Sequence, residues 1–165
     1  MASTINALST GSGGLVSTGD SSGQLELQTN GTTAVTVNSS QVVSFANPVT
    51  LTSPTITNYT ESVVAIGTVT SSHTISLTSG TFQTATLTAS TACTFTMPTA
   101  TAGKSFILLL KQAASTGNGT ATFTSVKWGT AGAPTITATA GKMDILSFVA
   151  DGTNWYGSIQ QGYTP

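Results

Sequence analysis

Four side chains in this sequence have the chemistry for acid–base, nucleophilic or metal-binding work: His73, Cys93, Asp144 and Asp151. His73 is the only histidine, and no cysteine or carboxylate stands at a metal-ligand spacing from it. We therefore interpret His73 as a polar residue at a strand end. One metal alternative stays open, because three copies of His73 meeting on a threefold axis could hold an ion together. Within one chain we expect neither a metal nor a cofactor.

The cysteine and the two aspartates favour structural roles. Cys93 alternates with apolar residues, as a small buried hydrophobe does, and a thiol nucleophile would need His73 as its base. A glycosidase needs two carboxylates that face each other across a cleft. Asp151 instead begins an Asp-Gly turn, and Asp144 opens an apolar strand. We therefore expect a protein that is not an enzyme.

Three aromatic residues with a polar group are candidates for binding. Trp128, Trp155 and Tyr156 could stack on the sugars of a host-surface glycan, since Trp and Tyr are frequent in binding hot spots. The alternative is that the tryptophans fill the ends of a core or a subunit interface, and we favour that alternative.

The composition excludes several classes of partner. Only 5% of the 165 residues are charged, the net charge is -1, and about a third of the residues are Thr or Ser. So few cations cannot neutralise a run of phosphates, which argues against nucleic-acid binding. The longest apolar run, Phe106 to Leu110, is too short for membrane insertion. Met1 to Thr10 lacks the features of a secretory signal, so we expect assembly in the cytoplasm of the producing cell.

The first third of the sequence predicts an attachment arm followed by a stalk. Residues 1–23 are rich in Ser, Gly and Thr and are expected to form a flexible arm. Residues 24–61 alternate in short stretches, with a hairpin signal at Asn30-Gly31 because both residues tolerate positive φ. Pro48 and Pro54 then favour an extended linker. This region has too few large apolar residues for a monomeric core.

Residues 62–165 predict an all-β domain. Period-two alternation recurs in short segments separated by turn residues, and helical periodicity is missing. Such spacing indicates an antiparallel β-sandwich of the jelly-roll type. The predicted strands are Val63–Thr70, His73–Leu77, Phe82–Thr88, Ala92–Met97, Lys104–Gln112, Thr120–Val126, Pro134–Thr139, Met143–Ala150 and Asn154–Ile159.

Two of these strands carry apolar residues on both faces, whereas an ordinary sandwich strand buries one face and wets the other. With no helix to supply a third layer, we expect a partner subunit to cover the second face. The predicted oligomer interface contains Phe106, Ile107, Leu108, Leu109, Leu110, Leu146 and Phe148.

Two stretches resemble structural proteins of tailed-bacteriophage virions. Thr18–Val37 (TGDSSGQLELQTNGTTAVTV) is similar to a segment that recurs in tail-fibre and other virion proteins. Gly80–Gly157, with GKSFILLLKQ and the ending DGTNWYG, resembles a C-terminal module of such fibres. The resemblance implies a homotrimer with an N-terminal attachment segment and a β-rich distal domain. It also implies a place on the virion surface, in contact with capsid or tail proteins.

Size distinguishes the chain from long tail fibres, because it has no extended shaft. We therefore expect a homotrimeric capsid-decoration protein or a short head or tail fibre. The alternative is a tail-fibre tip that binds a host surface receptor such as a glycan.

Overall fold

The computed structural model describes residues 22–165, and within this range every regular element is a β-strand. The all-β class is thereby confirmed. The chain forms two compact units, Met1–Thr57 and Asn58–Pro165. Almost all of the predicted arm, residues 1–23, lies outside the described residues. None of the described residues forms a helix long and apolar enough to cross a membrane.

The N-terminal unit contains a meander of three antiparallel strands. They are β1 (Leu25–Thr29), β2 (Thr32–Val37) and β3 (Val43–Phe45), hydrogen-bonded in that order. Asn30 and Gly31 connect β1 to β2 with φ angles of 51° and 74°, so the predicted hairpin is confirmed. Two successive positive φ angles match the twist of the flanking strands.

The meander has one apolar and one polar face. The register aligns Leu25 with Val37 and Val43, and Leu27 with Val35 and Phe45, so these six residues share a face that we call the meander apolar face. On the other face, Glu26 accepts hydrogen bonds from Gln28 (3.0 Å) and Thr33 (2.9 Å). No described residue of this unit is buried. Leu25 is 54% exposed and Phe45 is equally so.

The C-terminal unit contains nine strands in two sheets. The six-stranded sheet has the order β10-β12-β11-β8-β6-β4, and the three-stranded sheet has the order β5-β7-β9. The strands are β4 (Val63–Val69), β5 (Ser72–Thr74), β6 (Phe82–Leu87), β7 (Ala92–Thr96), β8 (Ser105–Lys111), β9 (Thr120–Phe123), β10 (Val126–Lys127), β11 (Met143–Ala150) and β12 (Trp155–Tyr163).

The expectation of antiparallel pairing is wrong for most of this unit. From β4 to β9 the chain alternates between the two sheets, so β4, β6 and β8 pair in parallel, as do β5, β7 and β9. This is the winding of a short, flattened β-solenoid. Antiparallel pairing appears only where β11 joins β8 and β12. Alternation within a strand defines its faces but carries no information on the direction of its neighbour, and the turns here connect different sheets.

One core lies between the two sheets. The strands alternate between buried and more exposed residues, as period-two packing on one face requires. Phe106 stacks on Phe148 at 4.6 Å within the larger sheet, and Phe123 of the smaller sheet lies 5.3 Å from Phe148. The buried apolar residues are Val69, Ile75, Ala85, Leu87, Cys93, Phe95, Met97, Phe106, Leu108, Leu110, Ile136, Leu146, Phe148, Ala150 and Trp155.

One predicted strand is absent. The segment Pro134–Thr139 is extended but pairs with no strand, although Ile136 is buried in the core. The backbone N–H of Thr137 donates to the side chain of Asp144 at 2.8 Å rather than to a neighbouring strand. The Asp144 carboxylate therefore accepts a backbone hydrogen bond that a neighbouring strand would accept in a sheet.

Candidate functional site

The four chemically competent side chains do not form a cluster. His73 is half-buried in β5, with its ring edge-on to Phe95 at 6.1 Å. Cys93 is buried in β7, and burial raises the pKa of its thiol, which disfavours the thiolate. No hydrogen bond joins either residue to the other or to an aspartate. Between residues 22 and 165, no group of three His, Cys, Asp or Glu residues could hold a metal ion.

Asp144 and Asp151 stand at opposite ends of β11. At roughly 3.3 Å per residue, their Cα atoms are about 20 Å apart, beyond the separation of about 5 to 10 Å at which paired carboxylates act on one glycosidic bond. Each carboxylate instead organises its own surroundings. Asp144 is buried and accepts N–H bonds from Thr137 (2.8 Å) and Gly162 (3.0 Å), so it ties an extended segment and β12 to β11.

Asp151 caps the turn between β11 and β12. Its carboxylate accepts the backbone N–H groups of Asn154 and Thr153, both at 2.7 Å, and the hydroxyl of Tyr156 at 2.8 Å. These hydrogen bonds, with that from Asn154 the strongest, lower the pKa of Asp151 from 3.8 to about 2. The same contact raises the pKa of Tyr156. The carboxylate therefore orders the turn in its ionised form.

The structure separates the three aromatic candidates. Trp155 is only 2% exposed, packs edge-on against Phe106 at 5.3 Å and donates its indole N–H to the Pro98 carbonyl at 2.7 Å. This agrees with the favoured interpretation, in which the tryptophan is part of the core, and it removes Trp155 from the candidates for ligand contact. Tyr156 is 43% exposed, and Trp128 is half-buried. These two remain accessible.

The predicted interface residues also divide into a buried group and a more accessible group. Five of them, Phe106, Leu108, Leu110, Leu146 and Phe148, are buried in the core of this chain and offer no surface to a partner. Ile107 is 36% exposed on the opposite side of the sheet, and Leu109 is half-buried there. The smaller sheet covers the face that carries these five residues, so only the face with Ile107 and Leu109 lies away from the core.

The registers extend this second surface across most of the larger sheet. Val63 aligns with Phe82 and Ile107, Leu109 aligns with Ile145, and Val149 lies in phase with them on β11. Val63 is 59% exposed and Val149 is 54% exposed. We call this surface the outer sheet face and define it by Val63, Phe82, Ile107, Leu109, Ile145 and Val149.

Sequence reasoning missed two buried glutamines. Gln112 donates to the carbonyls of Gly119 (2.7 Å) and Thr137 (2.8 Å) and accepts the Gly119 N–H (2.9 Å). Gln83 donates to the carbonyls of Ser76 (2.6 Å) and Gly80 (3.1 Å). Both glutamines occur in phase with inward-facing apolar residues, and that phase is the signal that could have revealed them. They anchor loops to the core.

Taken together, the described side chains hold loops, turns and sheets in place, and the surfaces that remain available are apolar or hydroxyl-rich. The chain matches no protein-family model, no curated protein and no solved structure.

Proposed function

We propose that this protein is a non-enzymatic structural component of a bacteriophage virion, a homotrimeric capsid-decoration protein or short fibre. In this proposal the N-terminal region attaches each chain to capsid or tail proteins. The C-terminal unit, with two sheets around one core, projects from the virion surface.

The outer sheet face is the observation that carries this proposal. It presents apolar side chains from β4, β6, β8 and β11 on the side of the sheet away from the core. Ile107 and Val149 are exposed to 36% and 54%. Apolar side chains exposed on one sheet face, here interspersed with Ser105, Ser147 and Thr84, favour a protein–protein interface, because burial of apolar area is the main favourable term in association. A second and a third copy of this chain would cover it with matching chemistry.

The meander apolar face supports the attachment role. Covering its apolar face would stabilise this three-stranded sheet, since none of the described residues in this unit is buried. Glu26, the one charged residue among residues 22–57, belongs to the polar face. The apolar face therefore suits a neutral, apolar partner surface. Three identical attachments per trimer would add their effects through a high effective concentration.

The choice of a phage particle in this proposal comes from the sequence resemblance alone. Thr18–Val37 contains β1 and β2, and Gly80–Gly157 contains most of the C-terminal unit. Both stretches are similar to virion structural proteins of tailed phages.

The oligomeric state is the first test. We expect multi-angle light scattering to give three times the chain mass at micromolar concentration. Replacing two outer-face residues, as in the double variant I107K/V149K, should yield monomers because six lysines would meet in a trimer. The matched control is T96K/T120K, on two exposed positions of the smaller sheet that are not register partners, which should stay trimeric. A monomeric unmodified chain would overturn the trimer.

The location on the particle is the second test. Gold-labelled antibodies against the C-terminal unit should decorate intact virions at the capsid surface or at a short fibre. Virions made without this protein should lose physical stability while adsorption to the host stays unchanged. Absence of the protein from purified virions would contradict the proposal.

A further inference from the structure

A groove opens beside β12 where its neighbour β10 ends. β10 pairs with β12 only at Trp155 and Tyr156. Beyond that point the edge of β12 faces a groove of about 510 Å³. The groove is lined by Trp128, Gly129, Ala131, Gly132, Ala133, Pro134, Thr135, Gly157, Ser158, Ile159 and Gln161. Its volume lies within the range of small-molecule sites.

Trp128 holds a fixed position at this groove. A Cβ atom on Gly157 would come within 2.5 Å of the six-membered ring of Trp128, so this close approach requires glycine. The ring also lies edge-on to Phe123 at 5.9 Å and to Phe148 at 6.0 Å. An aromatic ring that is already positioned loses little conformational freedom when a ligand packs on it.

The polar groups of the groove carry no formal charge. None of its lining residues is Asp, Glu, Lys or His. The Gln161 side-chain amide donates to the Thr135 carbonyl at 2.6 Å, which orients the amide and keeps its oxygen as an acceptor. Thr135 and Ser158 add hydroxyl groups, each able to donate and to accept. A charged ligand would find no counter-charge among these residues.

We propose that this groove binds a neutral saccharide. A pyranose presents apolar C–H faces that pack on an aromatic ring, and hydroxyl groups that match hydroxyl, amide and backbone partners. A peptide strand fits less well, because the Gln161 side chain already donates to the Thr135 carbonyl and only residues 157–160 of β12 lie between this bond and the end of β10. Strands are most often five or six residues long. The site does not depend on the trimer or on the particle proposed above.

The test uses the full chain and a panel of neutral oligosaccharides built from hexoses and N-acetylhexosamines. We expect binding to at least one of them, measured by titration calorimetry, with a shift of the Trp128 indole signal in NMR spectra. The variant Ala133→Leu places a branched side chain without an aromatic face at the exposed rim and should weaken binding at least tenfold. The control Ala114→Leu, at an exposed alanine in another loop, should bind as the unmodified chain does.

Three outcomes would overturn the proposal. They are the absence of binding to the whole panel at millimolar concentration, unchanged binding in Ala133→Leu, and a clear preference for charged glycans or extended peptides. Circular dichroism checks that both variants keep the β-sheet spectrum. Light scattering on the same samples reports the oligomeric state, so failure of the groove and failure of the trimer are distinguishable.

Discussion

The two compact units use similar Thr-rich, alternating strands with opposite results. In Asn58–Pro165 the strands wind between two sheets, and residues such as Leu108 and Leu146 are fully buried between them. In the N-terminal unit three equally regular strands form one sheet, and no described residue is buried. Alternation alone therefore makes a strand with two different faces. Only a second layer turns the apolar face into a core, and the described residues of the meander are not covered by one.

The largest expected effect comes from separating the two units. We expect a fragment of residues 58–165 to fold alone, because its hydrogen bonds and core lie within it. A fragment of residues 1–57 should lack stable structure as a monomer, because none of its described residues is buried and little apolar burial offsets the entropy of ordering the chain. Circular dichroism and urea unfolding measure both. The proposed difference between the units would be contradicted if the 58–165 fragment did not unfold cooperatively. A stable monomeric 1–57 fragment would contradict it too.

A matched pair of leucines tests the contrast at single residues. Leu108→Ala should destabilise the C-terminal unit by about 3 kcal/mol, because it opens a cavity at a fully buried site. Leu27→Ala, at a residue 48% exposed on the meander apolar face, should change the stability of the C-terminal unit by less than about 0.5 kcal/mol. Urea unfolding followed by tryptophan fluorescence reports this unit, since Trp128 and Trp155 both lie in it. Equal effects of the two substitutions would contradict the contrast.

The local features of both units could be predicted from the sequence. The Asn30-Gly31 hairpin was predictable because few residue pairs accept two positive φ angles. The two faces of β8 were predictable as well, since Leu108 and Ile107 differ by one step of a period-two pattern. Each of these features depends on neighbours within a few residues.

The arrangement of the strands in space could not be predicted in this way. β4, β6 and β8 pair in parallel because the chain crosses to the three-stranded sheet after each of them. The local sequence pattern does not show these crossings. Trp155 illustrates the consequence for the candidate site. It follows a turn, as an exposed aromatic would, but its ring packs against Phe106 of β8 and its indole N–H donates to the Pro98 carbonyl. Whether a residue is buried depends on contacts with residues distant in sequence, and local sequence patterns do not predict those contacts.

A matched pair of carboxylates sharpens the contrast between the units. Asp144→Asn should destabilise the C-terminal unit by about 2 kcal/mol, because the amide nitrogen would face an N–H of Thr137 or Gly162 in a buried site. Glu26→Gln, on the exposed polar face of the meander, should leave tryptophan-reported unfolding unchanged. The measurement is again urea unfolding. An unchanged midpoint in Asp144→Asn would show that the buried carboxylate does not hold its two segments.

The smallest expected effect lies at the surface of the C-terminal unit, where Asp151 orders an exposed turn. Its pKa is lowered from 3.8 to about 2, so its contribution to stability is present above pH 3.8 and is lost as the pH falls through about 2. Tyr156→Phe should raise this pKa, yet leave it below 3.8, because the stronger bonds from Asn154 and Thr153 remain. An NMR titration of the Asp151 carboxyl carbon measures the pKa in both proteins.

A pKa of Asp151 near 3.8 in the unmodified chain would mean that the turn is not ordered in solution. A full return to 3.8 in Tyr156→Phe would mean that the hydroxyl, and not the backbone, holds the carboxylate. The intermediate value is expected because each N–H is fixed by the turn that β11 and β12 impose, whereas the tyrosine hydroxyl is held by its own side chain alone.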